Sequence, residues 1–452
     1  MFVVAILAGG KGTRLWPFSN RYHPKPFIEV DNGITLYSET LERIKSLSPD
    51  KIVCISNEKY KNFTKSSLVD EYIFEKDGKN TAAAILFTST ILERKFGADT
   101  VVLFVPADHW IKDKKEFNRT ALEAANLAKK GNIITLGIKP KYPENGFGYI
   151  IHNNSKISRF EEKPKVKRAE ELINSGALWN SGIFCMSCKT INEEASKHCF
   201  ELVQKEDQIQ IEIRSNEIYV DYKDFPDISI DKAIMEKSER LLVIPADMGW
   251  DDIGSLTSFF NLKKTKNLIS QENGNEIEGK GITIDCENLS ISTKKNFIAA
   301  IGISDQFIVS KDNTILIVNK KNVQDVKKIK QEEIADMLEF EKVYRPWGTY
   351  QIIEKGPNFL VKRIEVHPGG ALSLQLHNHR DEHWIITKGS PLVVIGDKTI
   401  ETKENQQLFI PKKIKHRMIN KTNETVTFIE VQFGNVLEES DIVRLEDNYG
   451  RN

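Results

Sequence analysis

The first 260 residues alternate short apolar runs with stretches of helical period. Val3–Leu7, Lys51–Ser56 and Thr100–Val105 read as buried strands, and Leu36–Leu47, Thr81–Phe96 and Phe117–Lys130 carry apolar positions at helical spacing. Strand–helix alternation of this kind predicts an α/β domain with a Rossmann-like, mostly parallel sheet covered on both faces. Such sheets bind ligands beyond the carboxyl ends of their strands, so motifs at those ends are the first candidates for chemistry.

The texture then changes twice. Gly281–Asp285, Leu289–Thr293, Phe297–Ile301 and Gln306–Ser310 predict small strands at regular spacing. Val323–Phe340 predicts a helix with Val323, Val326, Ile329, Ile334, Met337 and Leu338 on one side, although Lys327 and Lys330 interrupt the period. Lys327, Lys328 and Lys330 read as solvated surface, their stems covering apolar neighbours. From Tyr344 onward, short strands broken by Gly, Pro and Asn predict a small antiparallel barrel or jelly roll. Three segments result: a domain over 1–262, a β-rich connector with a helix over 263–340, and a barrel over 341–452.

Composition narrows the function. Lys+Arg and Asp+Glu both total 64 in a chain of 452 residues, so no net field favours nucleic acid or an anionic membrane as partner. Five scattered cysteines suit a reducing compartment, and Cys185 and Cys188 read as small core residues, since no second pair completes a zinc site. The apolar start lacks a basic leader and runs into glycines, which reads as a first strand. No run reaches the ~20 apolar residues of a membrane span. A cytoplasmic protein is expected. Its oligomeric state is not fixed by sequence, and a homo-oligomer is compatible with it.

Leu7-Ala8-Gly9-Gly10-Lys11-Gly12-Thr13-Arg14-Leu15 follows the first strand. Gly9, Gly10 and Gly12 let the backbone approach an anion and line a phosphate nest, Thr13 can add a hydrogen bond, and Arg14 can clamp a phosphate. The spacing fits neither GxxxxGK[ST] nor GxGxxG. Lys25 lies between Pro24 and Pro26, on stiff backbone that can aim its ammonium at a second phosphate. Asp108 ends the Thr100 strand and Asp252 comes from a distant segment. Such a pair suits Mg²⁺ on triphosphate oxygens, although each alone could be a helix N-cap.

These residues, with Gly78-Lys79-Asn80-Thr81, Gly146-Phe147-Gly148-Tyr149, Phe160–Pro164, Trp179-Asn180-Ser181-Gly182 and Trp250–Gly254, resemble the sugar-1-phosphate nucleotidyltransferases, and among them the mannose-1-phosphate guanylyltransferases. The resemblance implies that the Gly9–Arg14 loop holds GTP, with Arg14 and Lys25 stabilising charge at the α-phosphate. It implies base recognition around Asn80 and Thr81, sugar-phosphate binding by Gly146, Glu162, Lys163 and Asn180, and Mg²⁺ on Asp108 and Asp252. Lys11 stands where the family commonly has serine.

Near the C-terminus, Leu374-Gln375-Leu376-His377-Asn378-His379-Arg380-Asp381-Glu382-His383 concentrates metal-ligand chemistry; five of the nine histidines lie between His367 and His416. In one extended strand Gln375, His377 and His379 would share a face, with Glu382 near and His416 arriving from a later strand to complete a mixed N/O site. Gly369, Gln375, His377, Glu382 and Gly389, then Pro411, His416 and Asn420, resemble the two cupin motifs. That resemblance implies Gln375, His377, Glu382 and His416 as ligands of a divalent metal, zinc among the candidates, with His379 as the substitute for Gln375. Together with Arg345-Pro346-Trp347-Gly348, Val361–Ile364 and Asp441–Asp447, the segment resembles the bacterial type II phosphomannose isomerases. A fused enzyme is then implied, making GDP-mannose from mannose 1-phosphate and GTP and interconverting fructose 6-phosphate and mannose 6-phosphate. Arg444 would grip phosphate or steady an enediolate, or else pair on the surface with Glu446 or Asp447. The competing readings are a cupin that only binds sugar or regulates, and a transferase for another base or sugar.

Overall fold

The computed structural model describes residues 1–10, 12–20, 23–31, 33–199, 210–222, 225–272, 274–312, 314–329 and 342–447. They form two compact units, the first mainly Met1–Asn20 and Pro24–Ser270 with Lys320–Val326, the second mainly Gln271–Asn319 and the chain from 342 to 447.

The first unit is built on eleven strands: β1 (Phe2–Leu7), β2 (Lys51–Asn57), β3 (Glu71–Glu75), β4 (Val101–Pro106), β5 (Ile133–Ile138), β6 (Gly148–Asn153), β7 (Lys156–Glu162), β8 (Leu178–Ser187), β9 (Gln210–Arg214), β10 (Glu217–Asp221) and β11 (Leu241–Ala246). Their order in the sheet is β9-β10-β3-β2-β1-β4-β8-β5-β11-β7-β6. Strands β10, β3, β2, β1 and β4 form a parallel block. Beyond it the expectation of a mostly parallel sheet fails, because β8 enters antiparallel between β4 and β5. The pleat explains the two cores. Val4 and Ile6 of β1 point to one face, under α1 (Leu36–Lys45) and α3 (Lys114–Ala128), whereas Val3 and Ala5 point to the other, under α2 (Asn80–Phe96) and α5 (Cys188–His198). Helix α4 (Val166–Asn174) joins the first face through Ala169 and Leu172. Helix α3 starts three residues before the predicted Phe117, where Asp113 accepts from the Lys115 and Glu116 N–H groups at 2.9 and 3.0 Å. Cys185 and Cys188 are free and buried, Cys185 in the first core and Cys188 in the second, and burial pushes the Cys188 thiol up to about 12.

In the second unit the connector coils. Strands β12 (Asn275–Ile284), β13 (Ser290–Ile301), β14 (Gln306–Lys311) and β15 (Thr314–Asn319) follow one another. The first three are parallel, stacking Ile277, Ile291 and Ile308 in one buried ladder. The predicted strands Leu289–Thr293 and Phe297–Ile301 are therefore one strand, bent where Gly279 passes under Thr293. In place of an α-helix from Val323, a 3₁₀ helix covers Lys320–Lys328, most of it counted with the first unit. Val323 and Val326 are both buried and three residues apart, which is the 3₁₀ period. The rest of that predicted helix, from 330 on, lies outside the described residues.

The remaining strands are β16 (Val343–Arg345), β17 (Gly348–Lys355), β18 (Phe359–Val366), β19 (Leu374–His377), β20 (Arg380–Lys388), β21 (Leu392–Ile395), β22 (Lys398–Glu401), β23 (Gln407–Ile410), β24 (His416–Ile419), β25 (Val426–Gly434) and β26 (Ile442–Glu446). They form two antiparallel sheets, β16-β17-β18-β25-β20-β23 and β22-β21-β24-β19-β26. Trp384, Ile386, Phe428, Met418 and Val393 fill the space between them, as expected of a jelly roll. No helix among the described residues is long and apolar enough to cross a membrane.

Candidate functional site

Two centres stand out, one in each unit. In the first unit, β1, β2, β3 and β4 run parallel, so their last residues lie along one edge of the sheet. The glycine loop leaves β1 there. Gly12 has φ +64°, and a Cβ on it would sit 2.2 Å from Lys25 Cβ; only glycine lets the loop lie against Pro24–Phe27 in this way. Thr13 opens a short 3₁₀ turn, while its side chain and the whole of Lys11 lie outside the described residues. Lys25 is buried. Its Nζ is 2.9 Å from Asp108 Oδ2 and also donates to the Asp252 backbone carbonyl. Burial works against the ammonium, but the surrounding Asp108, Asp252 and Asp251 outweigh it and hold the Lys25 pKa above its ordinary value.

Neither aspartate is a helix cap. Asp108 follows β4 and precedes the short strand Trp110–Ile111, which pairs with Trp250–Asp251. Ser255 caps the helix after Asp252 by accepting from the Ser258 N–H at 3.2 Å. The pairing brings Asp252 to Asp108, and it is locked by Trp250 Nε1 donating to His109 Nδ1 at 3.1 Å. Burial holds the His109 pKa down at about 3, so the ring is a neutral acceptor. Between Asp252 and Gly254, Ile253 adopts φ +49°. A β-branched residue in the left-handed region is a strain of order 1–3 kcal/mol, which persists only where its surroundings enforce it. Here the Ile253 N–H bonds Asp251 Oδ1 at 2.7 Å and the Gly254 N–H bonds Asp252 Oδ1 at 2.9 Å. Burial pushes the Asp251 and Asp252 carboxyls above the usual range despite Lys25, whereas Asp108, equally buried, is held below it by Lys25. The corner therefore has the oxygens and the charge deficit that suit a further cation.

The other half of the same edge holds the remaining predicted residues. Arg14, half-buried, reaches Gly146: a Cβ there would lie 3.8 Å from Arg14 Nη1. The Gly146 N–H donates to Glu144 Oε1 at 2.8 Å. Gly148 faces Glu162 across β6 and β7, and Lys163 pairs with Glu162 at 2.6 Å. Asn180 is beside them; its amide donates to Asp231 Oδ1 at 2.8 Å and its carbonyl oxygen accepts from Thr135 at 3.1 Å. Burial, helped by the Glu162 charge, raises Asp231 to about 6. Asn80 and Thr81 are engaged otherwise: Asn80 donates to Asp227 at 3.1 Å, and the Thr81 hydroxyl accepts from the Ile230 N–H at 2.9 Å.

The second centre is inside the barrel. His377 Nε2 lies 2.9 Å from Glu382 Oε1, and His416 Nε2 lies 3.5 Å from Glu382 Oε2. Ligand atoms of all three buried residues fall within 4.8 Å of one another, a grouping found nowhere else among the described His, Cys, Asp and Glu residues. His416 Nδ1 bonds the Ile414 carbonyl at 2.9 Å, and its Nε2, turned toward Glu382, is buried with no hydrogen bond of its own, which fits an imidazole that takes a metal as its partner. Burial lowers the His377 pKa. His416 is also desolvated, but Glu382 holds its pKa above the ordinary value, and Glu382 is in turn held well below the carboxylate range by the two imidazoles. Gln375 pairs across the ladder with His416 on one side and Arg444 on the other, and its Oε1 accepts from Ser373 at 2.8 Å. Arg444 Nε is buried without a partner, while Glu446 pairs with Arg417 at 3.4 Å. The expectation for His379 fails. Strand β19 ends at His377, so His379 leaves the shared face, is 59% exposed at its side chain, and pairs with Asp441 at 2.7 Å.

Comparison with known proteins places the whole chain. Residues 3–267 fit the nucleotidyl transferase family, 279–332 the MannoseP isomerase/GMP-like beta-helix domain, and 332–447 the mannose-6-phosphate isomerase C-terminal domain. Mannose-1-phosphate guanylyltransferase RfbM of Salmonella typhimurium strain LT2 is 34% identical over 99% of this chain and 98% of its own. The chain belongs to the mannose-1-phosphate guanylyltransferase family. Alginate biosynthesis protein AlgA of Pseudomonas aeruginosa is 34% identical over 99% of this chain and 97% of its own, and xanthan biosynthesis protein XanB of Xanthomonas campestris 35% over 99% and 98%. A solved structure described as a mannose-1-phosphate geranyltransferase from Thermus thermophilus superposes with TM-score 0.63 at 26% identity, covering 75% of this chain and 99% of that one.

Some residues beside the two centres carry no local sequence signal. Glu144 accepts from the Gly146 N–H and Asp231 from the Asn180 amide. Arg380, buried between Glu382 Oε1 at 3.2 Å and the Glu438 carbonyl at 3.0 Å, would have been found by its place beside the histidines.

Proposed function

We propose that this chain transfers the guanylyl group of GTP to mannose 1-phosphate, releasing pyrophosphate, and separately interconverts fructose 6-phosphate and mannose 6-phosphate. The observation that carries the reading is the pairing, in one chain, of a glycine loop flanked by Lys25, Asp108 and Asp252 with a buried His377–Glu382–His416 cluster. The two steps are not consecutive, since mannose 6-phosphate must be converted to mannose 1-phosphate by a mutase in between.

Guanylyl transfer is an in-line attack of a sugar-phosphate oxygen on the α-phosphorus, which needs alignment and charge neutralisation rather than a covalent nucleophile. The backbone of Gly9–Gly12 cradles the triphosphate, Arg14 and Lys25 offset charge gathering at the α-phosphate, and Glu162, Lys163, Asn180 and Gly146 hold the sugar phosphate. Asp108 and Asp252 would hold Mg²⁺, which supplies charge neutralisation at the phosphates when bound. In the barrel, His377, Glu382, His416 and Gln375 would hold a divalent metal, zinc among the candidates, which polarises sugar oxygens when bound. Arg444, which pairs with Gln375 across the ladder, would grip the phosphate or steady an enediolate.

A panel of GTP, UTP and dTTP against mannose 1-phosphate and glucose 1-phosphate, with a coupled assay for fructose 6-phosphate isomerisation, tests both halves. GTP with mannose 1-phosphate should give the highest kcat/KM; a preference for UTP or dTTP, or no isomerisation, rejects the corresponding half. An Asp252→Asn variant should need at least about tenfold more Mg²⁺ for half-maximal transfer, because an amide is a poorer ligand for a hard cation. A Mg²⁺ titration superimposable on the parent's would remove Asp252 from the metal site.

A further inference from the structure

Strands β12 and β13 run on past the point where the coil has a third strand. Among the described residues, Ser290–Thr293 of β13 pairs with β14, whereas Phe297–Ile301 pairs with Lys280–Ile284 of β12 alone. A two-stranded parallel ribbon results, and its pleat sorts the side chains. Ile298 and Ala300 turn to one face, against the small core of Leu289, Ile291 and Ile308. The cross-strand pairs Lys280 and Phe297, Ile282 and Ala299, and Ile284 and Ile301 share the other face. That face is open: Ile282 and Ile284 are 46% and 47% exposed, and Phe297 and Ile301 are both 63% exposed. A sheet face turned to water ordinarily carries polar side chains. A two-stranded ribbon is also marginally stable in water until something packs on its apolar side.

An apolar patch rimmed by charge marks an interaction surface, and the charges here indicate the partner. At the end where the ribbon begins stand Lys280 and, two residues before Phe297, the exposed Lys295. Glu278, next to that end, is tied to the Ser292 hydroxyl. At the other end stand the exposed Asp285 and Glu287, with Asp305 held beside them by its N–H, which donates to the Glu287 carbonyl at 3.1 Å. The ends are about 13 Å apart at ~3.3 Å per residue, beyond the ~8 Å screening length of physiological salt, so each presents its own sign. A partner of one sign would meet like charge at one end. A second copy of this chain, turned about a two-fold axis through Ile282 and Ala299, lays its basic end on the acidic end twice over. We propose that this face is a self-complementary interface between two copies of the chain. Ile282, Ile284, Phe297 and Ile301 pack at its centre, and Lys280 of each copy meets Asp285 of the other. Neither centre described above contributes a residue to it, so the interface stands whatever each centre catalyses.

Sedimentation equilibrium on the full-length protein tests the interface. The parent should be dimeric at micromolar concentration. Phe297→Asp with Ile301→Asp should weaken dimerisation at least about 100-fold, since unpaired charges then replace the central apolar anchors. Lys280→Glu alone, or Asp285→Lys alone, sets like charges together at both contacts and should weaken it about tenfold. An equimolar mixture of those two single variants brings opposite charges together at both contacts again. It should form a mixed dimer within about threefold of the parent's affinity, and a variant that merely failed to fold could not gain on mixing. A parent still monomeric at about 100 μM overturns the proposal, and a fall in its melting temperature in the double aspartate variant would then show that the chain covers this face itself. A dimer insensitive to Phe297→Asp with Ile301→Asp also overturns it, as do charge variants that gain nothing on mixing.

Discussion

Replacing Arg14 with alanine is expected to lower guanylyl transfer by at least ~100-fold, the usual loss when a charge partner of the transition state is removed. The isomerase of the same chain should keep nearly its full rate. Arg14 is half-buried, and its guanidinium lies beside Gly146, next to the residues proposed to hold the sugar phosphate. It packs no core and caps no helix, so the loss should fall on kcat rather than on the melting temperature. Parallel losses of both activities and of thermal stability would point to unfolding and withdraw the role.

The double variant His377→Ala/His416→Ala should abolish isomerisation and strip the bound metal from the barrel while guanylyl transfer continues. His377 comes from β19 and His416 from β24, adjacent strands of one sheet, and Glu382 from the other sheet. Removing both imidazoles leaves one carboxylate and Gln375, too few ligands for tight binding. The variant also leaves Glu382 buried between empty positions, and some loss of stability in the barrel should accompany the loss of metal. Elemental analysis of the purified full-length variant, set beside the two assays, checks this. Isomerisation that survives without metal would turn the barrel into a sugar-binding or regulatory domain.

How far each feature could be read in advance depended on the range of the interactions that make it. Strand β1 and its glycine loop are local: an apolar run, then residues with no side chain to bar an anion. The His377–Glu382–His416 cluster was also accessible, because rare residue types crowd one short segment and a single later strand. Features set by distant pairing were not. The direction of β8 depends on partners more than forty residues away in β5 and about eighty away in β4, and no period in Leu178–Ser187 encodes it. His379 was misplaced because alternation holds only while the strand lasts, and β19 stops two residues earlier.

The contact between Gly12 and Lys25 makes the phosphate loop and the Pro24–Phe27 segment a single mechanical part. Neither can be exchanged alone. A loop transplanted from a relative with a side chain at position 12 would drive Lys25 away from Asp108 and Asp252, and would silence transfer even if every residue thought to touch nucleotide were kept. Chimeras that carry residues 9–27 as one cassette should retain activity where exchanges of 9–15 alone do not, and the unit of inheritance at this edge of the sheet is the interlocked pair rather than the motif.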